Sequence, residues 1–235
     1  MLTALGLILL GYLLGAIPTG YWTVQALKGV DIRQVGSRST GATNVLRTAG
    51  RAAAAFVFMM DILKGLAPVL LSEIAEARGF LTTVPQPELH LVPPLVAAAA
   101  LIGHSRSIFL NFQGGKSAAT GLGTLIALNP LVAAVSFSIW LLTLFSTRFV
   151  SLASILAVAC SGAIMLLFRA PWSYVGYCVL GAAFVVYRHK ANISRLLSGS
   201  EPRLGEKSRQ TSEAQPAQAL AADPAAGDTP GQHSD

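Results

Sequence analysis

The stretch Gly36-Ser37-Arg38-Ser39-Thr40-Gly41-Ala42-Thr43-Asn44-Val45-Leu46-Arg47 gathers the groups that hold an anion. Gly36 and Gly41 let the backbone turn so that successive N–H groups point into one concavity. Ser37, Ser39, Thr40 and Thr43 add hydroxyl donors, and Arg47 adds a planar fork matched to phosphate oxygens. The two glycines have P-loop spacing, but Ala42-Thr43 stands where that motif needs Lys followed by Ser or Thr, so a nucleotide P-loop is excluded. Taken alone, the stretch also reads as a solvated polar loop.

Two further stretches carry related chemistry. Gln113-Gly114-Gly115-Lys116-Ser117-Ala118-Ala119-Thr120 is a Gly-rich turn with a lysine at an expected helix N-terminus, where free N–H groups and the helix dipole favour an anion. A plain helix start would look the same. In Arg188-His189-Lys190-Ala191-Asn192-Ile193-Ser194-Arg195-Leu196-Leu197, residues Arg188, Asn192 and Arg195 recur at helical spacing, with Ile193, Leu196 and Leu197 as the apolar side. A basic anchor for anionic headgroups would explain the arginines but not Asn192 or the following Glu201.

The elements that must position these groups are apolar and long. Of 235 residues, 53% are hydrophobic and only 12% charged, with mean hydropathy +0.57, so the chain is an all-α integral membrane protein. Its net charge of +6 reports loop orientation and contact with anionic lipid rather than nucleic-acid binding, since no basic and aromatic patch accompanies it. Cys160 and Cys178 lie in apolar runs without CxxC pairing and read as small buried hydrophobes.

The first span is expected over Leu2 to Leu27, retained because no Lys or Arg precedes Lys28. Lys28, Arg33, Arg38, Arg47 and Arg51 against the single acid Asp31 place the following loop in the cytosol and the N-terminus outside. A second span, Ala52 to Leu71, carries Asp61 and Lys64, which face the bundle as a structural or a catalytic pair. An acid-leaning linker, Ser72 to Leu91, suits the outside, with His90 an ordinary interfacial residue. The third span, from Val92 to Gly103, must continue through His104 to Phe112 to reach membrane length. Asn129-Pro130 splits the next apolar run into Ser117 to Leu128 and Leu131 to Ser146, because proline starts a helix more readily than it continues one. Spans over Phe149 to Phe168 and Ser173 to Tyr187 bring the total to seven, and the split keeps the Arg188 cluster cytosolic. Residues 1–207 thus form one membrane domain, and 208–235, poor in large apolar residues, a disordered cytosolic tail.

The three polar stretches resemble the motifs of the bacterial acyl-phosphate:glycerol-3-phosphate acyltransferases of the PlsY type, GSxxxGATNxxR, GHxxPxFxxFxGGKxxAT and RHxxNxxRLxxGxE. They stand here as Gly36 to Arg47, Gly103 to Thr120 and Arg188 to Glu201, with departures at Arg38-Ser39, Ser107 and Ser117 that bear on substrate preference. The resemblance implies transfer of an acyl chain from acyl-phosphate to the sn-1 hydroxyl of glycerol 3-phosphate in the bacterial inner membrane, without cofactor or metal. It also implies functional coupling to the enzyme that makes acyl-phosphate. By the same resemblance Ser37, Arg47 and Lys116 hold phosphate oxygens, with His104 and His189 in catalytic positions. Gly36, Gly41, Thr43, Asn44, Gly114, Gly115, Arg188, Asn192 and Glu201 complete or brace the substrate site.

Other chemistries fit less well. A His-x4-Asp acyltransferase pair is excluded, since Leu95, Phe109 and Ser194 stand five residues past His90, His104 and His189. A CDP-alcohol phosphotransferase needs clustered aspartates, and Asp61 stands alone. A transporter or channel for a small anion or phosphorylated solute is the non-enzyme alternative, weakened by the lack of an internal repeat. With few bases available, the leaving phosphate itself is the expected proton acceptor, with a histidine general base as the alternative, and His104 is expected to orient groups or brace the Gly-rich turn.

Overall fold

Proline at position 18 removes a backbone donor, and the first apolar run folds as two helices, α1 (Leu2–Ala16) and α2 (Thr19–Lys28). The computed structural model describes residues 1–81 and 90–206; all its helices and turns follow from there, and the expected tail and Glu88 of the linker lie outside these residues. The elements continue as α3 (Ala42–Ala49), α4 (Arg51–Ala77), α5 (Val92–Ser105), α6 (Ala118–Leu128), α7 (Pro130–Thr147), α8 (Val150–Leu167), α9 (Trp172–Arg188) and α10 (Lys190–Leu197). Short 3-10 turns at Ile32–Gln34 and Ile108–Leu110 shape two of the connections.

Leu2–Lys28, Arg51–Ala77, Pro130–Thr147 and Val150–Leu167 are each long and apolar enough to cross a membrane, while α5 and α6 are shorter apolar helices. The break between α1 and α2 has a use. The Ile17 carbonyl beside it accepts from Lys64 Nζ at 2.9 Å, and Thr19 Oγ1 donates to Asp61 Oδ1 at 2.8 Å. Asp61 and Lys64 form the expected i,i+3 ion pair at 2.8 Å, almost wholly buried, so each charge entering the bundle is matched by a partner and a hydrogen bond.

Two boundaries differ from expectation. α4 runs on to Ala77, so Glu73 and Glu76 sit on a helix rather than in a linker, because Ser72-Glu73-Ile74-Ala75-Glu76-Ala77 is rich in helix formers and Glu73 accepts from Tyr174 of α9. Conversely, α5 stops at Ser105 and does not continue to Phe112. The hydroxyls at its end and just past it are spent elsewhere: Ser105 Oγ donates to Gly115 O at 3.0 Å, and Ser107 Oγ to Ala16 O at 2.5 Å. At 14 and 11 residues, α5 and α6 extend roughly 21 and 16 Å, short of a hydrocarbon thickness of about 30 Å.

The break at Asn129-Pro130 is as expected. Asn129 caps α7 by accepting from the Val132 N–H at 3.1 Å, and Pro130 occupies the first helical position. α4 and α6 pack with their backbones in contact: a Cβ at Gly65 would fall 2.2 Å from Thr120 O, and one at Gly123 2.0 Å from Ile62 O. Only glycine permits this approach, the usual means of joining helices in lipid. α10 follows α9 directly, and the chain beyond it folds back on the α7–α8 turn, where Leu204 N–H donates to Arg148 O at 2.7 Å.

Candidate active site

Asn44 organises the first motif loop from within. Its side chain is 1% exposed; Oδ1 accepts from the Ser37 N–H at 3.0 Å, and Nδ2 lies 3.0 Å from both Val35 O and Ser39 O and 3.3 Å from Ile32 O. The amide is therefore committed to the loop backbone, and its expected part in substrate binding becomes one of bracing. Gly36 is required beneath it: φ is +57°, and a Cβ there would lie 2.3 Å from Asn44 Oδ1. Val45 packs α3 against Val24, Ile32 and Val57, which leaves Thr43 and Arg47, one helical turn apart, facing a cavity.

That cavity has a volume of about 370 Å³, within the range of small-molecule sites. Its polar end is lined by Ser37, Gly41, Thr43, Asn44 and Arg47 of the first stretch, His104 and Lys116 of the second, and His189, Asn192 and Glu201 of the third. The rest is mainly apolar, walled by Phe58, Leu122, Leu125, Phe137, Trp140 and Tyr177 among others, with Ser136, Ser154 and Ser161 between them. Four expected site residues, Gly36, Gly114, Gly115 and Arg188, stand behind the wall rather than in it.

The Gly-rich turn wraps a histidine. A Cβ at Gly115 would lie 2.0 Å from His104 Nε2 and one at Gly114 2.2 Å from His104 O, so both glycines are needed for close approach. The expectation that this turn offers free N–H groups is corrected at Gly115, whose N–H donates to His104 O at 3.1 Å. Arg188 is turned the same way: its guanidinium donates to Gly115 O at 3.0 Å and reaches Gly114 O at 3.4 Å, clamping the turn instead of facing the cavity. Ser117 caps the start of α6 with φ +63° and donates to Leu101 O at 2.7 Å. Ala118 and Ala119, the first residues of α6, line the cavity, so the helix start faces it.

Lys116 reaches across to the third stretch, with Nζ 2.6 Å from Asn192 Oδ1. Asn192 Nδ2 donates to Glu201 Oε1 at 2.6 Å; Ser151 Oγ and Arg195 Nε, both at 2.7 Å, complete the carboxylate's partners. Burial pushes the Glu201 carboxyl up, but these hydrogen bonds and the Arg195 charge outweigh it and hold the pKa below the ordinary value. Burial pulls the Lys116 ammonium down to about 8, with Glu201 opposing and the neighbouring arginines adding to the shift. Arg47 is also lowered, chiefly by burial, and has no acid within ion-pair distance among the described residues. Two cations thus face the cavity while the acids lining it, Asp61 and Glu201, are each already paired. Such an arrangement leaves positive charge uncompensated at the cavity's polar end.

His189 is a poor base as placed. Its Nδ1–H donates to Val185 O at 2.8 Å, and burial, with Lys116 nearby, lowers its pKa to about 4, so the ring is neutral at pH 7. His104 is buried, with Nδ1 3.6 Å from Asp61 Oδ1. Ser151 and the apolar walls were not anticipated as parts of the site. The serines of α8 at 151, 154 and 161 recur near helical spacing on one buried face, which is the signal that could have found them.

Residues 5–199 match the family model described as "Glycerol-3-phosphate acyltransferase". A relative of that name from Rippkaea orientalis is 47% identical over 207 residues, 88% of this chain and 95% of the relative. Another from Crocosphaera subtropica is 47% identical over 204 residues, 87% of this chain and 95% of the relative. The fold is similar to the crystal structure of PlsY, an integral membrane glycerol 3-phosphate acyltransferase, in its glycerol 3-phosphate form, with TM-score 0.77 and 38% identity over 86% of this chain and 96% of that one. Its lysophosphatidic acid form matches with TM-score 0.75 and 37% identity.

Proposed function

Because the chain belongs to the glycerol-3-phosphate acyltransferase family, we propose that its cavity is the site where the sn-1 hydroxyl of glycerol 3-phosphate takes an acyl group from acyl-phosphate. The products are 1-acylglycerol 3-phosphate and inorganic phosphate, the first step of phospholipid synthesis. The observation that carries this reading is the pairing of two cavity-facing cations, Arg47 and Lys116, with an otherwise apolar shaft: one end suits phosphate, the other an alkyl chain. The transporter alternative finds no support in the family similarities.

In this reading Ser37, Thr43 and Arg47 receive one phosphate group, and Lys116 with the start of α6 the other. The hydroxyl oxygen attacks the carbonyl carbon, the bond from that carbon to the phosphate oxygen breaks, and the hydroxyl proton passes to the departing phosphate. That oxygen becomes more basic as the anhydride opens, so no side-chain base is required. Lys116 and Arg47 stabilise the charge that develops, and positioning supplies much of the rate. Asn44, Arg188, Asn192 and Glu201 hold these groups in place, His104 fills the Gly-rich turn, and His189 donates to backbone as a neutral ring.

The proposed topology is seven crossings, with α1 and α2 as one and α4 to α9 as the rest, the N-terminus outside and the three motifs cytosolic. The excess of Lys and Arg around the first and third motifs supports it. Residues 1–207 form the catalytic domain in the bacterial inner membrane, fed by the enzyme that makes acyl-phosphate, and 208–235 a cytosolic tail. The test is purified protein in detergent or lipid cubic phase, given acyl-phosphate and glycerol 3-phosphate. Release of inorganic phosphate in step with 1-acylglycerol 3-phosphate is expected; transfer from acyl-CoA alone would overturn the donor assignment.

A further inference from the structure

Glycine inside a helix costs up to about 1 kcal/mol relative to alanine, and in the bundle interior close packing commonly accounts for it. For Gly15, Gly65, Gly103 and Gly123 the reason is packing, since a Cβ at any of them would lie within 2.0 to 2.3 Å of a neighbouring backbone oxygen. Gly121 of α6 and Gly181 of α9 have no such neighbour. A Cβ at Gly121 would meet only Leu101 Cδ2 at 3.6 Å; one at Gly181 would meet Leu101 Cδ1 at 3.5 Å and the Tyr177 ring at 3.8 Å, all ordinary contacts. Both glycines line the cavity and flank the two methyl groups of the same leucine. The space they leave open is the cavity itself.

Below them the shaft ends. Tyr177, Leu125 and Ser161 are the deepest lining residues on their helices, while Leu128, Met165 and Tyr174, one turn further, belong to the packed core. Tyr177 is held there by a hydrogen bond between its hydroxyl and Thr124 Oγ1. On α9, Gly181 and Tyr177 precede His189 by 8 and 12 residues (189 − 181 and 189 − 177), roughly 12 and 18 Å along the axis. An extended alkyl chain advances about 1.25 Å per carbon, given carbon–carbon bonds of about 1.5 Å. From the phosphate-binding end, the waist at Gly181 therefore lies at roughly the ninth or tenth carbon and the floor at roughly the fourteenth.

We propose that Gly121 and Gly181 determine acyl-chain length by forming a waist through which the distal part of the acyl chain passes to a floor at Tyr177. This deepens the acyl-transfer reading and rests on it. A larger side chain at either position closes the waist, leaving room for a medium chain but not for a long one.

The test compares rates on 14-carbon and 8-carbon acyl-phosphates for wild type, Gly181→Ala, Gly181→Leu and Gly121→Leu. The control is Gly176→Leu, the same change on the same helix at an exposed position where a Cβ meets nothing within 4 Å. The ratio of 14-carbon to 8-carbon rate is expected to fall at least tenfold in Gly181→Leu and Gly121→Leu, to fall about two- to threefold in Gly181→Ala, and to stay at the wild-type value in Gly176→Leu. An unmoved ratio in a Gly181→Leu protein that turns over the 8-carbon donor overturns the inference. Should the leucine variants turn over neither donor, Gly181→Ala decides, and an unmoved ratio there overturns it equally. Wild-type protein that releases no phosphate from either donor defeats the acyl-transfer reading instead, and the waist with it.

Discussion

Lys116 and Asn192, 76 residues apart in the chain, are joined by a 2.6 Å hydrogen bond from the ammonium to the amide oxygen, while the same amide donates to Glu201. The carboxylate fixes which way the amide faces, and the amide fixes the lysine. The second and third motifs therefore act as one unit.

Lys116→Ala and Arg47→Ala are each expected to lower kcat by about 10² to 10³ or more, the scale for losing a charged donor in a site shielded from water. Asn192→Ala should cost less, and Lys116→Ala with Asn192→Ala less than the sum of the two, since the second change removes a partner already lost. Steady-state kinetics on folded protein measures both. Near wild-type turnover in either single-charge variant would remove that residue from the site.

The Lys116 pKa of about 8 predicts an alkaline limb. Burial depresses it, so the ammonium is present below pH 8 and is lost as the pH rises through that value, where an ordinary lysine would stay charged for two further units. kcat/KM in the free enzyme should decline above about pH 8. In Lys116→Arg, whatever its absolute rate, that limb should vanish; its persistence assigns it to another group.

His189, neutral because burial holds its pKa near 4, should give no titration limb around pH 6.5. His189→Gln and His104→Gln proteins are expected to keep measurable turnover with pH profiles that superimpose on the wild type. A thousandfold fall in kcat with unchanged binding, together with a wild-type limb near 6.5, would make that histidine the base.

Asn44→Ala strips the first motif loop of its internal hydrogen bonds and leaves the Ser37 N–H without its partner. The expected cost is about 1 to 3 kcal/mol for the stranded buried groups. It should appear as a lower Tm and a raised KM for glycerol 3-phosphate. A variant with normal Tm and altered KM alone would return Asn44 to direct substrate contact.

Cysteines placed singly at positions 200 and 83 report the proposed topology. In intact cells an impermeant reagent should leave position 200 unlabelled and label position 83, which lies outside the described residues. Labelling of 200 from outside would break the seven-crossing count.

Features governed by neighbours in the chain were legible before any coordinates. The Asp61–Lys64 pair follows from i,i+3 spacing in an apolar helix, and the α6–α7 boundary from a proline preceded by a capping asparagine. The apolar composition likewise announced a membrane protein, and the three polar motifs the residues that meet at one end of its cavity. Other outcomes depended on distant partners. α5 ends at Ser105 because the hydroxyls at its end and just beyond find acceptors on the Gly-rich loop and on α1. Asn44 and Arg188 look like substrate ligands in a motif, yet both are consumed by backbone carbonyls that only folding brings within reach. The same holds for the apolar shaft. Glycines at 121 and 181 read alike with those at 65 and 123 in sequence, and packing alone distinguishes them, because a neighbouring backbone fills the space beside one pair and a cavity the space beside the other.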